Sequence, residues 1–187
     1  MERIVLASAS PRRRQLLEWA EVDFEVLVKN TEETWPEGLL LEQIPIHIAR
    51  NKGLAVKDQV AAHRIILAAD TVVVLGSAII GKPVDREDAI SILSRLAGNC
   101  HQVITGVVLR KGEQEIAFSD TTDVSFHTLT RTQIENYVDK YKPYDKAGAY
   151  AIQEWIGVVG IRSIRGDFYN VMGLPVSRVV RALGEFK

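Results

Sequence analysis

Hydrophobic and polar positions along this chain switch repeatedly between a period of two and a period near 3.6. RIVLAS, 3–8, is short and apolar and predicts a buried strand. Behind it Leu16, Leu17 and Ala20 recur at helical spacing, with Ser10 suited to an N-cap and Pro11 to the first helical position. VDFEVLVKN, 22–30, alternates like a strand with one wet face, and TEETWPEG follows as a loop punctuated by Pro36 and Gly38. A helical stripe returns from Ile44 to about Val60. RIILAADTVVVLG, 64–76, is a β-branched run that fits a central strand covered on both faces, and SAIIGKPVD reads as a return strand and turn.

The second half continues the alternation. REDAISILSRLAGN predicts a helix with Asp85 as cap and Gly98 as stop. CHQVITGVVLRKGEQEIAFSDTTDVSFHTL predicts two long strands joined at KGEQ. Thr130 and Gln133 form a capping box before a helix that Pro143 ends. YDKAGAYAIQEW reads as a loop leading to a strand near 158–165, and LPVSRVVRALGEF as a closing helix with Pro175 in its first turn. Together these predict mixed α/β layers around one sheet system.

Composition narrows the class. At 187 residues the chain suits one sizeable domain or two small lobes with a cleft between them. Hydrophobic residues make up 47% and charged residues 25%, the balance of a folded chain. A formal net charge of −1 gives no global basic surface for a nucleic acid polymer. The single cysteine, Cys100, excludes an intrachain disulfide, and the four histidines lack zinc spacing and read as surface or satisfied residues. No apolar run approaches the roughly 18 residues of a membrane span, and MERIVLASAS lacks the order of a signal peptide. The expectation is a soluble cytoplasmic protein with no membrane partner.

Several residues look too costly to be ornamental. Arg12, Arg13 and Arg14 stand in the first turn of a helix, where positive charge opposes the dipole. Successive side chains step about 100° apart, so they cannot all face one ligand; a phosphate could repay some of them, and a surface carboxylate such as Glu18 the others. Asp70 stands mid-strand in LAADTVVVL, where an unpaired carboxylate costs several kcal/mol. A cation, a metal ion or a hydrogen-bond network must offset that, and the position suits a metal ligand or general base. GKP, 81–83, and DKAG, 145–148, each place a lysine beside glycine on a loop, which suits phosphate or a plain solvated turn. Glu32 and Glu33 could bring carboxylate to a divalent ion. No P-loop and no dinucleotide fingerprint occurs.

LASASPRRRQLL, AADTVV, GKP, the TG at 105–106, DKAGAYAIQ and NVMGLP stand in one order from about residue 3 to the final helix. In that set the chain resembles the Maf-like family of nucleoside triphosphate pyrophosphatases. The resemblance implies a mixed α/β fold with flanking helices, in two lobes around a deep cleft, related to the inosine triphosphate pyrophosphatases and forming a single domain over 1–187. It also implies hydrolysis of the α–β anhydride of a nucleoside triphosphate to monophosphate and pyrophosphate with Mg²⁺ or Mn²⁺. By the same resemblance Asp70 is the proton acceptor and, with Glu33, a metal ligand. Ser8, Arg13, Lys52, Lys82 and Lys146 hold the triphosphate, and Asp145 borders the reacting phosphates. Arg12, Thr71 and Gln153 set base specificity, with identities like those of the branch acting on dTTP and UTP. AIQEWIG departs from the family pattern, in which a glycine flanks the IQ pair. A house-cleaning role, a link to cell division arrest and a possible homodimer come with the family. The alternative is a nucleotide-binding regulator of septum formation that acts without turnover.

Overall fold

In the computed structural model, which describes residues 3–186, β1 (Ile4–Leu6) is buried along its whole length. It runs parallel to β2 (Phe24–Val26), Ile4 opposite Phe24, and parallel to β3 (Ile65–Leu75), Leu6 opposite Leu67. Parallel neighbours need crossovers. These are α1 (Pro11–Trp19) between β1 and β2, and α2 (Gln43–Val56) between β2 and β3, the latter followed by a 3₁₀ turn at Lys57–Gln59. The apolar face of α2 explains its position. Ala49 and Val56 pack with Val5, Ala7, Ile66, Ala68 and Val108 in one buried cluster, which Leu27, Ile46 and Val60 extend.

β3 turns back into β4 (Ala78–Ile80), which pairs antiparallel with it, Val73 opposite Ile80. α3 (Arg86–Leu96) begins at Asp85, whose Oδ1 accepts the Asp88 N–H at 2.9 Å. β5 (Cys100–Lys111) and β6 (Gln114–Phe126) are the two long strands predicted on either side of KGEQ. α4 (Arg131–Tyr141) opens on the predicted capping box: Thr130 Oγ1 accepts the Gln133 N–H, and Gln133 Oε1 accepts the Thr130 N–H. The strand order is β2-β1-β3-β5-β6-β7, with β4 beside β3 and β7 (Ile161–Arg165) antiparallel to β6. The sheet is mixed and flanked by helices, as predicted.

Local expectations change at several points. The strand expected near 158–165 is shorter, because 155–160 coil into α5 (Trp155–Gly160), with the Gly157 and Val158 N–H groups donating to Glu154 O. WIGVVG is an apolar run too short for periodicity to separate helix from strand. After β7, a short helix that no stripe announced, α6 (Phe168–Met172), starts where Asp167 Oδ1 accepts the Tyr169 N–H. The closing helix α7 (Val176–Leu183) has Pro175 at its N-cap rather than inside its first turn.

The chain divides into two compact units. The first takes the residues up to Thr71, Thr105–Asp120 and those from Gly173 on; the second takes Val72–Ile104 and Thr121–Met172. The first holds the α2 cluster. In the second, α3 packs on α4, and the Arg86 guanidinium ties the two by donating from Nε and Nη2 to the Asp139 carboxylate at 2.6 and 2.9 Å. Among the described residues no helix is long and apolar enough to cross a membrane.

Candidate active site

The first unit resolves the cost of Asp70. Its carboxylate is buried on β3, and Lys52 donates to Oδ1 at 2.6 Å from α2. The same ammonium donates to Glu33 Oε1 at 2.7 Å. A lysine on one helix thus gathers two carboxylates, one from the core strand and one from the loop after β2. The legs differ in weight. Asp70 and Lys52 keep 12% and 17% of their side chains exposed, whereas Glu33 keeps 44%; the inner pair is partly shielded and the outer one is screened by solvent. Beside the cluster lies a cavity of about 230 Å³, lined by Ser8, Thr31, Glu33 and Lys52 and by the backbone turn after β1.

Arg13 explains the arginine run. Ser10 caps α1 by accepting the Arg13 N–H, and Pro11 opens it, as the sequence predicts. Arg13 itself is buried, and each of its three guanidinium nitrogens donates one hydrogen bond. Nη1 donates to Ser8 Oγ at 3.0 Å, Nη2 to Thr71 Oγ1 at 3.1 Å, and Nε to Gly173 O at 2.8 Å. Burial lowers its pKa most, the Asp70 charge opposes that, the Arg12 charge adds to the lowering, and Glu33 opposes it. Arginine stays charged throughout. The dipole conflict at the start of α1 is therefore offset inside the protein, by three hydrogen bonds and two nearby carboxylates. Arg12 is half-buried and Arg14 exposed.

The Arg13 bonds also orient Thr71. Because Thr71 Oγ1 accepts from Arg13, its own hydrogen remains available, and Thr105 Oγ1 lies 2.9 Å away. Gly173 presents its carbonyl to Arg13 with φ at 115°, and a Cβ there would meet Thr71 Oγ1 at 3.7 Å, so the backbone shape, more than space, calls for glycine.

The remaining expected residues lie in the second unit. The GKP and DKAG loops meet there through the Gly148 N–H, which donates to Gly81 O at 3.1 Å. Lys82 and Asp145 are exposed on those loops, while Lys146 is buried. Lys146 Nζ donates to Asp145 Oδ1 at 2.8 Å and lies 3.7 Å from Glu154 Oε1. Gln153 is exposed beside Glu154. The expected residues thus fall into two sets: Ser8, Arg12, Arg13, Glu33, Lys52, Asp70 and Thr71 in the first unit, and Lys82, Asp145, Lys146 and Gln153 in the second.

Sequence reasoning passed over three participants. Thr105 stands in the TG motif without a role of its own, Glu154 in a segment read as a loop, and Tyr137 in the helix that Pro143 ends. His101 was expected to be a surface or satisfied residue, and the structure buries it on β5. Its Nε2 lies 2.7 Å from Tyr150 Oη, its ring packs edge-on against Phe126 and Tyr150, and its Nδ1 has no protein partner. Burial pushes its pKa down to about 4. In the unfolded chain the ring takes a proton near 6.5, so between those values the unfolded state binds more protons and stability falls with falling pH. The loss attributable to His101 should reach roughly 3 kcal/mol by pH 4. Urea midpoints measured from pH 7 to pH 4.5 should show this slope, and His101→Gln should flatten it; an unchanged slope would remove His101 as its source.

Comparison with solved structures places the fold. The chain matches the Staphylococcus aureus Ham1 protein at TM-score 0.53 and 17% identity, covering 98% of each chain. It matches a HAM1 protein from Coxiella burnetii at TM-score 0.51 and 14% identity, over 99% of this chain and 100% of that one. At such identities the likeness speaks for a shared mixed α/β architecture alone. Sequence is more specific: the model of the family described as Maf-like protein matches residues 3–186, and the chain belongs to that family. Similar curated relatives come from Cytophaga hutchinsonii, 49% identical over 96% of this chain and 82% of that protein, and from Parabacteroides distasonis, 45% identical over 98% and 96%. A third, from Bacteroides fragilis, is 46% identical over 97% and 94%, and all three are named dTTP/UTP pyrophosphatase.

Proposed function

We propose that this protein is a nucleoside triphosphate pyrophosphatase that cleaves dTTP and UTP to the monophosphate and pyrophosphate. One observation carries the reading: in a Maf-like chain, a buried strand carboxylate, Asp70, shares one lysine with Glu33 beside a cavity lined by the backbone turn after β1. A triphosphate brings about four negative charges, and its cleavage needs charge neutralisation and an oriented water more than covalent help. Lys52 supplies an ammonium, the turn between β1 and α1 supplies Ser8, and Arg13 adds a fixed positive charge behind them. In the second unit Lys146 and Lys82 are the corresponding phosphate cations, with Asp145 beside Lys146.

Asp70 accepts the proton of the attacking water. The water oxygen bonds to the α-phosphorus, the bridge to the β-phosphate breaks, and pyrophosphate leaves with the bridging oxygen. Among the described residues no group of three or more His, Cys, Asp and Glu side chains converges. A Mg²⁺ or Mn²⁺ held by few protein ligands still suits this donor set, since such ions take one or two carboxylates and complete their shell with phosphate oxygens and water. Asp70 and Glu33, already drawn to one cation by Lys52, are the residues that would hold it. When bound, the ion supplies charge neutralisation on the phosphate oxygens.

Base recognition is assigned to Arg12, Thr71 and Gln153. An exposed amide such as Gln153 presents a donor and an acceptor, which fit the O4 and N3–H edge of uracil and thymine. Flipped, the same amide would fit cytosine, so selectivity requires that its orientation be held. The direct test is product analysis over a panel of nucleoside triphosphates with Mg²⁺ or Mn²⁺. The expected result is pyrophosphate from dTTP and UTP and little from 7-methyl-GTP. Orthophosphate as the released product would overturn the reaction, and preference for 7-methyl-GTP would overturn the specificity.

A further inference from the structure

Gln153 occupies a tight turn: the Glu154 N–H donates to Ala151 O at 3.1 Å, leaving Ile152 and Gln153 at the tip. The apolar residue is buried there and the amide exposed. What anchors the turn is Tyr137, a buried residue of α4. Its hydroxyl donates to Glu154 Oε2 and accepts the Ala151 N–H at 3.3 Å. One phenol oxygen therefore grips both ends of the turn that carries Gln153. The other carboxylate oxygen of Glu154 faces Lys146 at 3.7 Å, so Glu154 cannot swing away without leaving that ammonium to Asp145 alone. Burial and then the Glu154 contact raise the Tyr137 pKa, which keeps the hydroxyl protonated and donating.

A core tyrosine needs only one partner for its hydroxyl. Here it makes two, both to the segment flanking the exposed amide. We propose that Tyr137 and Glu154 are positioning residues for base discrimination, fixing the turn so that Gln153 presents one amide orientation to the nucleobase. This rests on the assignment of Gln153 to base recognition. Neither side chain touches the substrate; they act through the backbone of Ala151 and through the turn.

The test is the ratio of kcat/KM for UTP over CTP in the wild type, Gln153→Ala, Tyr137→Phe, Glu154→Ala and Glu154→Gln, with melting temperatures alongside. Loss of the Tyr137 hydroxyl should lower the ratio roughly fivefold, the scale of one hydrogen bond. A merely structural loss would lower both rates alike and leave the ratio in place. Glu154→Gln keeps an oxygen to accept from Tyr137 and should hold the ratio near wild type, whereas Glu154→Ala should lower it. Should Tyr137→Phe fail to fold, the Glu154 pair decides the matter. If Gln153→Ala abolishes discrimination while neither Tyr137→Phe nor Glu154→Ala alters it, the positioning role is overturned and the functional reading stands. If the wild type releases no pyrophosphate, or Gln153→Ala leaves discrimination intact, the underlying assignment falls and this inference with it.

Discussion

Asp70→Asn should abolish turnover while leaving the fold and most nucleotide affinity in place. The amide is nearly the same size as the carboxylate and can still accept from Lys52 through its oxygen, so the contact at 2.6 Å is weakened but not emptied. What it loses is the ability to take a proton from water. A positioned general base is worth about 10² to 10⁴ in rate, so kcat should fall by at least about a hundredfold. Removing a negative charge beside a polyanion opposes any loss of affinity in the absence of a divalent ion. Pyrophosphate release and calorimetric binding, measured on the same preparation, check both halves. More than a tenth of wild-type kcat would remove Asp70 as the base. Glu33→Gln makes the comparison, since its exposed leg to Lys52 should matter less. The same variant separates the enzyme from the rival regulator of septum formation: an effect that needs binding alone would survive Asp70→Asn.

Asp70 also marks the limit of what was legible in the sequence. That an aspartate inside LAADTVVVL needs a partner follows from desolvation alone, but which partner does not. Lys52 lies 18 residues back on a different element, and only the packing of α2 on β3 brings them together. The arginine run repeats the lesson at longer range. Its oddity is local, a positive first turn, while its resolution at Gly173 O lies 160 residues away. Features closed within a few residues were read directly: the Ser10 cap, the Asp85 cap and the Thr130–Gln133 box each depend on contacts three positions apart. WIGVVG failed for the opposite reason, since a run of six apolar residues carries too little period to choose a helix. Tyr137 gave no signal beyond its place in the helix that Pro143 ends, because a pattern of apolar and polar positions is blind to what a hydroxyl reaches.

Gly106→Ala should be among the most destabilising single-atom changes available in the first unit, and its effect should reach the chemistry. A Cβ on Gly106 would lie 2.2 Å from Ile46 N and 2.3 Å from Pro45 C, both backbone atoms of α2. No side-chain rotation relieves such contacts, so the helix must lift from β5. Overpacking against yielding neighbours costs about 1–3 kcal/mol, and an unyielding backbone belongs at or above the top of that range. Gly53→Ala supplies the contrast on the same helix. Its Cβ would meet Ala68 Cβ at 3.5 Å, an ordinary contact, and alanine favours a helix interior over glycine by about 1 kcal/mol. Urea midpoints should therefore move in opposite directions for the two variants. Lys52 rides on α2 between Gly53 and the start of the helix that Gly106 receives. Lifting that end displaces the ammonium that joins Asp70 to Glu33, so Gly106→Ala should also lose activity in the fraction that remains folded. Equal midpoints for the two variants would mean that α2 is not held by this close approach, and the placement of Lys52 would need another cause.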